Sequence, residues 1–199
     1  MITIGLVGGI ASGKSAVSAA LARRGAVVFD ADKIGHRVLN EPATRDELVA
    51  RWGQSILDAN HRVSRAGVAE RVFGGSPEAA GERDFLEQTL HPRIRQRILS
   101  EINQLPTGSA PAVVIDAPLL IEAGWSQVCQ ALIFVDAPRQ TRLQRAKTRG
   151  WTEEEFSRRE AAQMPIEEKR RRASHVIDNS GSLADLETEV DRFWRTVIG

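Results

Sequence analysis

The stretch Gly8-Gly9-Ile10-Ala11-Ser12-Gly13-Lys14-Ser15 follows the apolar run Ile2-Thr3-Ile4-Gly5-Leu6-Val7 and precedes a helical segment, Ala16 to Arg23. It is a complete G-x-x-x-x-G-K-[ST] phosphate loop in the strand, loop, helix order that such a loop requires. Glycine frees the backbone for conformations closed to residues with a Cβ, so that successive N–H groups converge on phosphate oxygens. Lys14 adds a mobile cation and Ser15 a hydroxyl of the kind such loops give to Mg²⁺. The following helix turns its positive N-terminal end towards the same anion.

Working outward from the loop, further apolar segments read as buried parallel strands: Ala26 to Asp30, Ala112 to Asp116, Ala131 to Asp136 and the shorter His175 to Asp178. They are rich in Val and Ile and helical stretches separate them, which is the α/β pattern. Gly25 stops the first helix. The fold class expected is a P-loop NTPase-type parallel sheet flanked by helices, in one domain of 199 residues. Between the second and third strands, about eighty residues carry helical periodicity, too many for a connecting loop. They read as a helical insert for the second substrate, with turns at Pro42, Gly53, Gly74-Gly75-Ser76-Pro77 and Leu105 to Ser109. A second insert starts at Arg145. There Thr152 and Glu155 read as a capping box and Trp151 with Phe156 as a hydrophobic staple. The expected division is a core of residues 1–31, 110–144 and 174–199, an acceptor-binding insert of 32–109 and a lid of 145–173.

The formal net charge is +1, but residues 142–172 hold ten Lys or Arg against six Glu. Such focused charge suits a polyphosphate ligand better than a long nucleic-acid backbone. Within that segment Arg159 and Gln163 lie four residues apart, a spacing that shares a helical face. Lys169-Arg170-Arg171-Arg172 reads as a solvated charged face with one or two members turned inward. One cysteine, Cys129, and four histidines without metal-ligand spacing point to a reducing compartment. No segment reaches membrane-spanning length and no signal core is visible, so a soluble cytoplasmic protein is expected, without a nucleic-acid or membrane partner and with a monomer favoured.

Asp30 and Asp32 close the second strand. Strand alternation puts both carboxylates on one side of the chain at the sheet edge facing the phosphate loop. One could orient an acceptor hydroxyl, and capping of the next helix fits either equally well. Asp116 ends a Walker-B-like strand and reads as a magnesium acid or as a strand-end turn carboxylate. His91 before Pro92 reads as structural or as a substrate contact. Cys129 and the scattered Trp52, Trp125, Trp151 and Trp194 read as core.

Over nearly its whole length the sequence resembles the dephospho-coenzyme A kinases. The resemblance lies in Leu6 to Ser15, Asp30-Ala31-Asp32, Arg65, Leu90-His91-Pro92, Pro118-Leu119-Leu120 with Glu122, Arg145 and Arg149, Arg159 with Gln163, and Ile177-Asp178-Asn179-Ser180-Gly181. It departs at Ala173-Ser174, where the family often has Ala-Asp. The resemblance implies transfer of the ATP γ-phosphoryl group to the 3′-hydroxyl of dephospho-coenzyme A, with Mg²⁺. It implies that Gly8, Gly9, Ile10, Ala11, Ser12, Gly13, Lys14, Ser15, Arg149 and Asn179 bind ATP, with Ser15 also serving the metal. Asp30, Asp32, Arg65, His91, Arg159 and Gln163 would bind the acceptor. Asp32, Lys14 and Arg145 form the implied catalytic set: Asp32 orients the hydroxyl while Lys14 and Arg145 meet the developing charge. Nucleoside-monophosphate or other metabolite kinases of this fold are the nearest alternative. A nucleotide switch is disfavoured by the missing Asn-Lys-x-Asp motif.

Overall fold

The computed structural model describes residues 1–73 and 77–199. In chain order the elements are β1 (Ile2–Gly8), α1 (Lys14–Arg23), β2 (Val27–Asp30), α2 (Ala31–Leu39), α3 (Pro42–Trp52), α4 (Arg65–Phe73) and α5 (Ala79–Asn103). They continue with β3 (Ala112–Asp116), β4 (Ala131–Asp136), α6 (Arg139–Lys147), α7 (Glu153–Ala161), α8 (Ile166–Arg172), β5 (His175–Asp178) and α9 (Leu183–Val197). The chain forms two compact units, Met1–Asp30 with Leu105–Gly199, and Ala31–Gln104.

The first unit is built on a parallel sheet in the order β2-β3-β1-β4-β5. Every pair is parallel, so each connection crosses over through other structure, and both faces of the central strands are buried. Ile4 and Leu6 of β1, Val114 of β3, Ile133 and Val135 of β4 and Ile177 of β5 form one apolar face. It packs against Val17 and Leu21 of α1 and Leu186, Val190 and Phe193 of α9. Each such side chain, fully buried, contributes about 1.5–3 kcal/mol. Arg24 at the end of α1 pairs with Glu187 at 2.8 Å and Asp191 at 2.7 Å, tying α1 to α9. Gly25, at φ 96°, lies just past that helix end as expected, and β2 starts at Val27, one residue later than the sequence pattern indicates. A reciprocal Ser182–Asp185 capping box starts α9.

The second unit is helical, with its own core of Leu48 and Trp52 from α3, Ile56 and Val63 from the connection, and Val68 and Val72 from α4. Trp52 meets Phe85 of α5 edge-on at 5.6 Å and donates its indole N–H to Glu82 at 2.6 Å. Pro92 lies inside α5, where it removes one intrahelical N–H donor. Arg93 to Glu47 at 2.5 Å and Arg37 to Glu101 at 2.8 Å join α5 to α3 and α2. Pro42 occupies the first turn of α3 and Gly53 follows its end. The expected turn at Gly74-Gly75-Ser76 lies outside the described residues.

Of the tryptophans, Trp52 and Trp125 are buried, whereas Trp151 and Trp194 are only partly so. Cys129, read as buried, is partly exposed, with its thiol near the Trp125 carbonyl.

Candidate functional site

The connection after β1 runs past β3 to β2 on one side, and the connection after β3 runs past β1 to β4 on the other, so the two adjacent strands β1 and β3 send the chain in opposite directions. Open α/β sheets bind ligands at such a switch point, outside the carboxyl ends of the strands. The loop from Gly8 to Ser15 emerges there. Ala11 sits in the left-handed region at φ 57° and Gly13 at φ 95°. For Ala11 that conformation costs about 1–2 kcal/mol, so the surroundings must hold it. Gly13 is the N-cap of α1 and offers no side-chain acceptor, so no side-chain cap competes with an anion at that helix end. A Cβ on Gly13 would overlap the Asn179 amide nitrogen.

Two distant side chains hold the carbonyl of Ser12. Asn179 donates from Nδ2 at 2.7 Å and Arg145 from Nη1 at 3.1 Å. Arg145 also donates from Nη2 to the Asn179 carbonyl at 2.8 Å, and the Asn179 N–H is held by the Asp136 carbonyl at 2.8 Å. In a trans peptide the C=O and N–H point in opposite directions. Holding the Ser12 carbonyl outward therefore turns the Gly13 N–H inward, to the concave side where a phosphate oxygen would lie. Asn179, expected to bind ATP, and Arg145, expected to meet the developing charge, thus meet at the loop, where both hold its backbone. Sequence reasoning missed Arg142, buried beside Gly9, although its spacing of three from Arg145 on α6 was a usable sign of a shared face.

The carboxyl edge of the sheet carries two acids in register: Asp30 opposite Asp116, which in turn stands opposite Leu6. Val28 and Val114, two residues earlier, pack into the core beside α1. The alternation of a strand puts Asp30 and Asp116 on that same α1 face. Asp32 differs from expectation. The strand ends at Asp30 and α2 starts at Ala31, so Asp32 lies in the first turn of a helix and period-two alternation does not reach it.

The segment after α6 belongs to the first unit. Phe156 of α7 is fully buried, with the Arg139 and Arg142 guanidinium groups 5.3 and 5.7 Å from its ring centre. Of the four-residue basic run, Lys169 turns inward: it is 2% exposed, pairs with Glu122 at 2.9 Å and donates to the Gln163 side-chain Oε1 at 3.1 Å. Glu122 also accepts the Met164 N–H at 3.1 Å. Burial by itself would raise the Glu122 pKa; the Lys169 hydrogen bond, with the backbone N–H groups, outweighs it and leaves the group below the ordinary glutamate value. A cavity of about 80 Å³ lies between Gly9, Ile10 and the α7–α8 turn, with Gln163 and Lys169 in its lining.

Two sequence expectations for this segment change. The capping box at α7 is half formed: Thr152 accepts the Glu155 N–H at 3.1 Å, but the Glu155 carboxylate goes to Arg159 at 2.7 Å. The nearby guanidinium outcompetes a backbone N–H for that carboxylate. Arg159 and Gln163 do not share a helical face, because α7 ends at Ala161 and Gln163 lies in the turn beyond it. Arg159 instead stacks over Trp151 at 4.3 Å. Arg149 follows the last turn of α6 and is exposed.

In the second unit, Arg65 opens α4 and lines a groove of about 440 Å³ together with His36, Asn40, Asp58 and Arg62. His91 lies within α5 immediately before Pro92 and is partly buried.

A sequence profile of the dephospho-CoA kinase family matches residues 2–185. A dephospho-CoA kinase of Symbiobacterium thermophilum is 39% identical over 203 aligned residues, covering all of this chain and 82% of that protein. The solved structure of a dephospho-CoA kinase from Campylobacter jejuni superimposes with a TM-score of 0.74 at 26% identity, covering 98% of this chain and 96% of that one. A shikimate kinase structure from Bacteroides thetaiotaomicron shares the fold, with a TM-score of 0.51 at 16% identity and 98% of each chain covered.

Proposed function

Because the chain belongs to the dephospho-CoA kinase family, we propose a division of labour among its residues for that family's reaction. The enzyme transfers the γ-phosphoryl group of ATP to the 3′-hydroxyl of dephospho-CoA, the last step of CoA synthesis. Such a reaction asks the protein for positioning and charge stabilisation more than for covalent chemistry.

The observation that carries the assignment is the Ser12 carbonyl held outward by Asn179 and Arg145. A loop so braced meets ATP with its amides already aimed, so little reorganisation is left for the reaction step. Gly8 to Ser15 bind the phosphates, and Lys14 meets charge developing between the β and γ groups. Arg145 adds positive charge from behind the loop. Arg149, and Arg159 with Gln163, come to the nucleotide and acceptor when the segment after α6 closes as a lid and excludes water, Arg145 staying with α6 at the loop. Asp32, in the first turn of α2, orients the acceptor hydroxyl, with Asp30 beside it in the chain. Arg65 and His91 grip the acceptor in the helical unit; the groove in which Arg62 and Arg65 outnumber the one carboxylate, Asp58, supports that role for Arg65, since dephospho-CoA carries a diphosphate.

Mg²⁺ fits the donors of the first unit. The Ser15 hydroxyl at the start of α1 and the Asp30 and Asp116 carboxylates on the α1 face of the sheet are hard oxygen groups. When bound, the ion would neutralise phosphate charge during transfer. Among the described residues no helix is long and apolar enough to cross a membrane. A cytoplasmic site of action completes the proposal.

The test is acceptor-dependent ADP release: dephospho-CoA is expected to stimulate it, and AMP and shikimate are not. Lys14→Ala is expected to lower kcat by about 10²-fold or more. Asp32→Asn is expected to keep ATP affinity and lose transfer; wild-type turnover by that variant removes Asp32 from the site.

A further inference from the structure

Beyond the residues the family resemblance supplies, Arg142 of α6 reaches the loop from its other side. Its guanidinium is buried and donates from Nε to the Ala137 carbonyl at 3.1 Å. Its Nη1 donates to the Glu160 carboxylate of α7 at 2.6 Å and to the carbonyl of Ile10 at 3.4 Å. The approach depends on Gly9: a Cβ there would come within 2.7 Å of Nη1 and 2.9 Å of both Cζ and the Ile166 Cδ1 of α8.

The Ile10–Ala11 peptide obeys the same rule as Ser12–Gly13. It is trans, so a carbonyl drawn towards Arg142 turns the Ala11 N–H to the opposite, concave side. That peptide also leads into Ala11, whose left-handed φ of 57° needs an external hold. Glu160 neutralises the buried cation and belongs to α7, so the same guanidinium links the phosphate loop to the segment expected to act as the lid.

We propose that Arg142 is a positioning residue for ATP: with Glu160 it sets the Ile10–Ala11 peptide so that the Ala11 amide faces the nucleotide phosphates. It acts through the backbone and touches neither substrate. The two halves of the nest then have separate supports, Arg142 for the Ala11 amide and Arg145 with Asn179 for the Gly13 amide. The inference rests on the reading of this loop as the ATP site.

Two variants test it. Arg142→Lys keeps a cation opposite Glu160 and loses the planar fork that serves three acceptors at once. Arg142→Gln removes the charge. For each, the dissociation constant of ATP, the KM for ATP and for dephospho-CoA, the melting temperature, and backbone amide exchange with and without ADP are measured. Arg142→Lys is expected to raise the ATP dissociation constant and KM about tenfold, the scale of one hydrogen bond to a charged group, with the KM for dephospho-CoA within about twofold. ADP-dependent protection is expected to be lost at the Ala11 amide and kept at Gly13. Wild-type ATP affinity together with unchanged Ala11 protection in Arg142→Lys overturns the proposal. So does a fall in melting temperature that moves both KM values equally. Should Arg142→Gln fail to fold, the lysine variant decides alone. Binding and exchange are read without turnover, so a chain that binds ATP yet phosphorylates no dephospho-CoA would refute the acceptor assignments while these data still decide Arg142.

Discussion

Gly13→Ala puts the bracing of the phosphate loop to a quantitative test. Gly13 lies at φ 95°, where an L side chain is strained by about 1–2 kcal/mol. Its new Cβ would also fall within the Asn179 amide nitrogen, which cannot stay. Moving Asn179 breaks the 2.7 Å bond to the Ser12 carbonyl and frees the peptide that aims the Gly13 N–H. Loss of a buried hydrogen bond of this kind costs about 1–3 kcal/mol. Together the two contributions come to about 2–5 kcal/mol against the ATP-competent loop, which at tenfold per 1.4 kcal/mol weakens ATP binding roughly 30-fold to several thousand-fold. Titration calorimetry with ATP measures this, and a thermal melt in parallel reports on the fold. The pair Gly13→Ala with Asn179→Ala separates the parts: with the amide gone the steric overlap vanishes, so the double variant should bind ATP better than the sum of the single losses allows. An ATP dissociation constant for Gly13→Ala within about threefold of wild type would refute this account of the loop, since it would mean that neither φ nor Asn179 matters to binding.

Lys169→Met leaves the Glu122 carboxylate without its buried cation and should cost about 3 kcal/mol, or roughly 6–12 °C in melting temperature for a chain of this size. Adding Glu122→Gln to Lys169→Met should recover most of that loss; a double variant as unstable as the single one would contradict it. Because Glu122 is held below the ordinary glutamate pKa, its stabilisation is present above about pH 4.3 and is lost as pH falls through the folded value. Acid titration of stability should show that loss in wild type and a smaller one in Glu122→Gln. Burial pushes the Cys129 thiol up to about 11. At pH 8 its alkylation by iodoacetamide should be about a hundredfold slower than that of a free thiol, rising on unfolding. The same shift makes its contribution to stability present below about pH 8.5 and lost as pH rises towards 11, an alkaline decline that Cys129→Ser should reduce.

The contrast between Thr152 and Ser182 shows how far local reading carries. Both precede a helix and have an acid three residues on, yet only Ser182 forms the reciprocal box. At Thr152 the acid had an arginine four residues further along the helix, and its carboxylate took the charged partner. Asp32 teaches the same limit: alternation was a fair expectation for Asp30-Ala31-Asp32, but the backbone turned helical one residue after Asp30. Where a strand stops is a tertiary matter, set by how far its neighbour continues to offer hydrogen bonds.

By itself the sequence determined the phosphate loop, the buried strands and the helical character of both inserts. Each of these rests on glycine conformations or on a repeat of two or 3.6 residues, and such information lies within a dozen positions of itself. Only the tertiary structure decided that Asn179 and Arg145, 167 and 133 residues away, share the Ser12 carbonyl. It likewise decided that Asp30 faces Asp116 in register, and that Lys169 is buried against Glu122. A parallel sheet brings together strands that must cross over to meet, so the partners at its carboxyl edge come from separate parts of the chain, and no local pattern records which of them will converge.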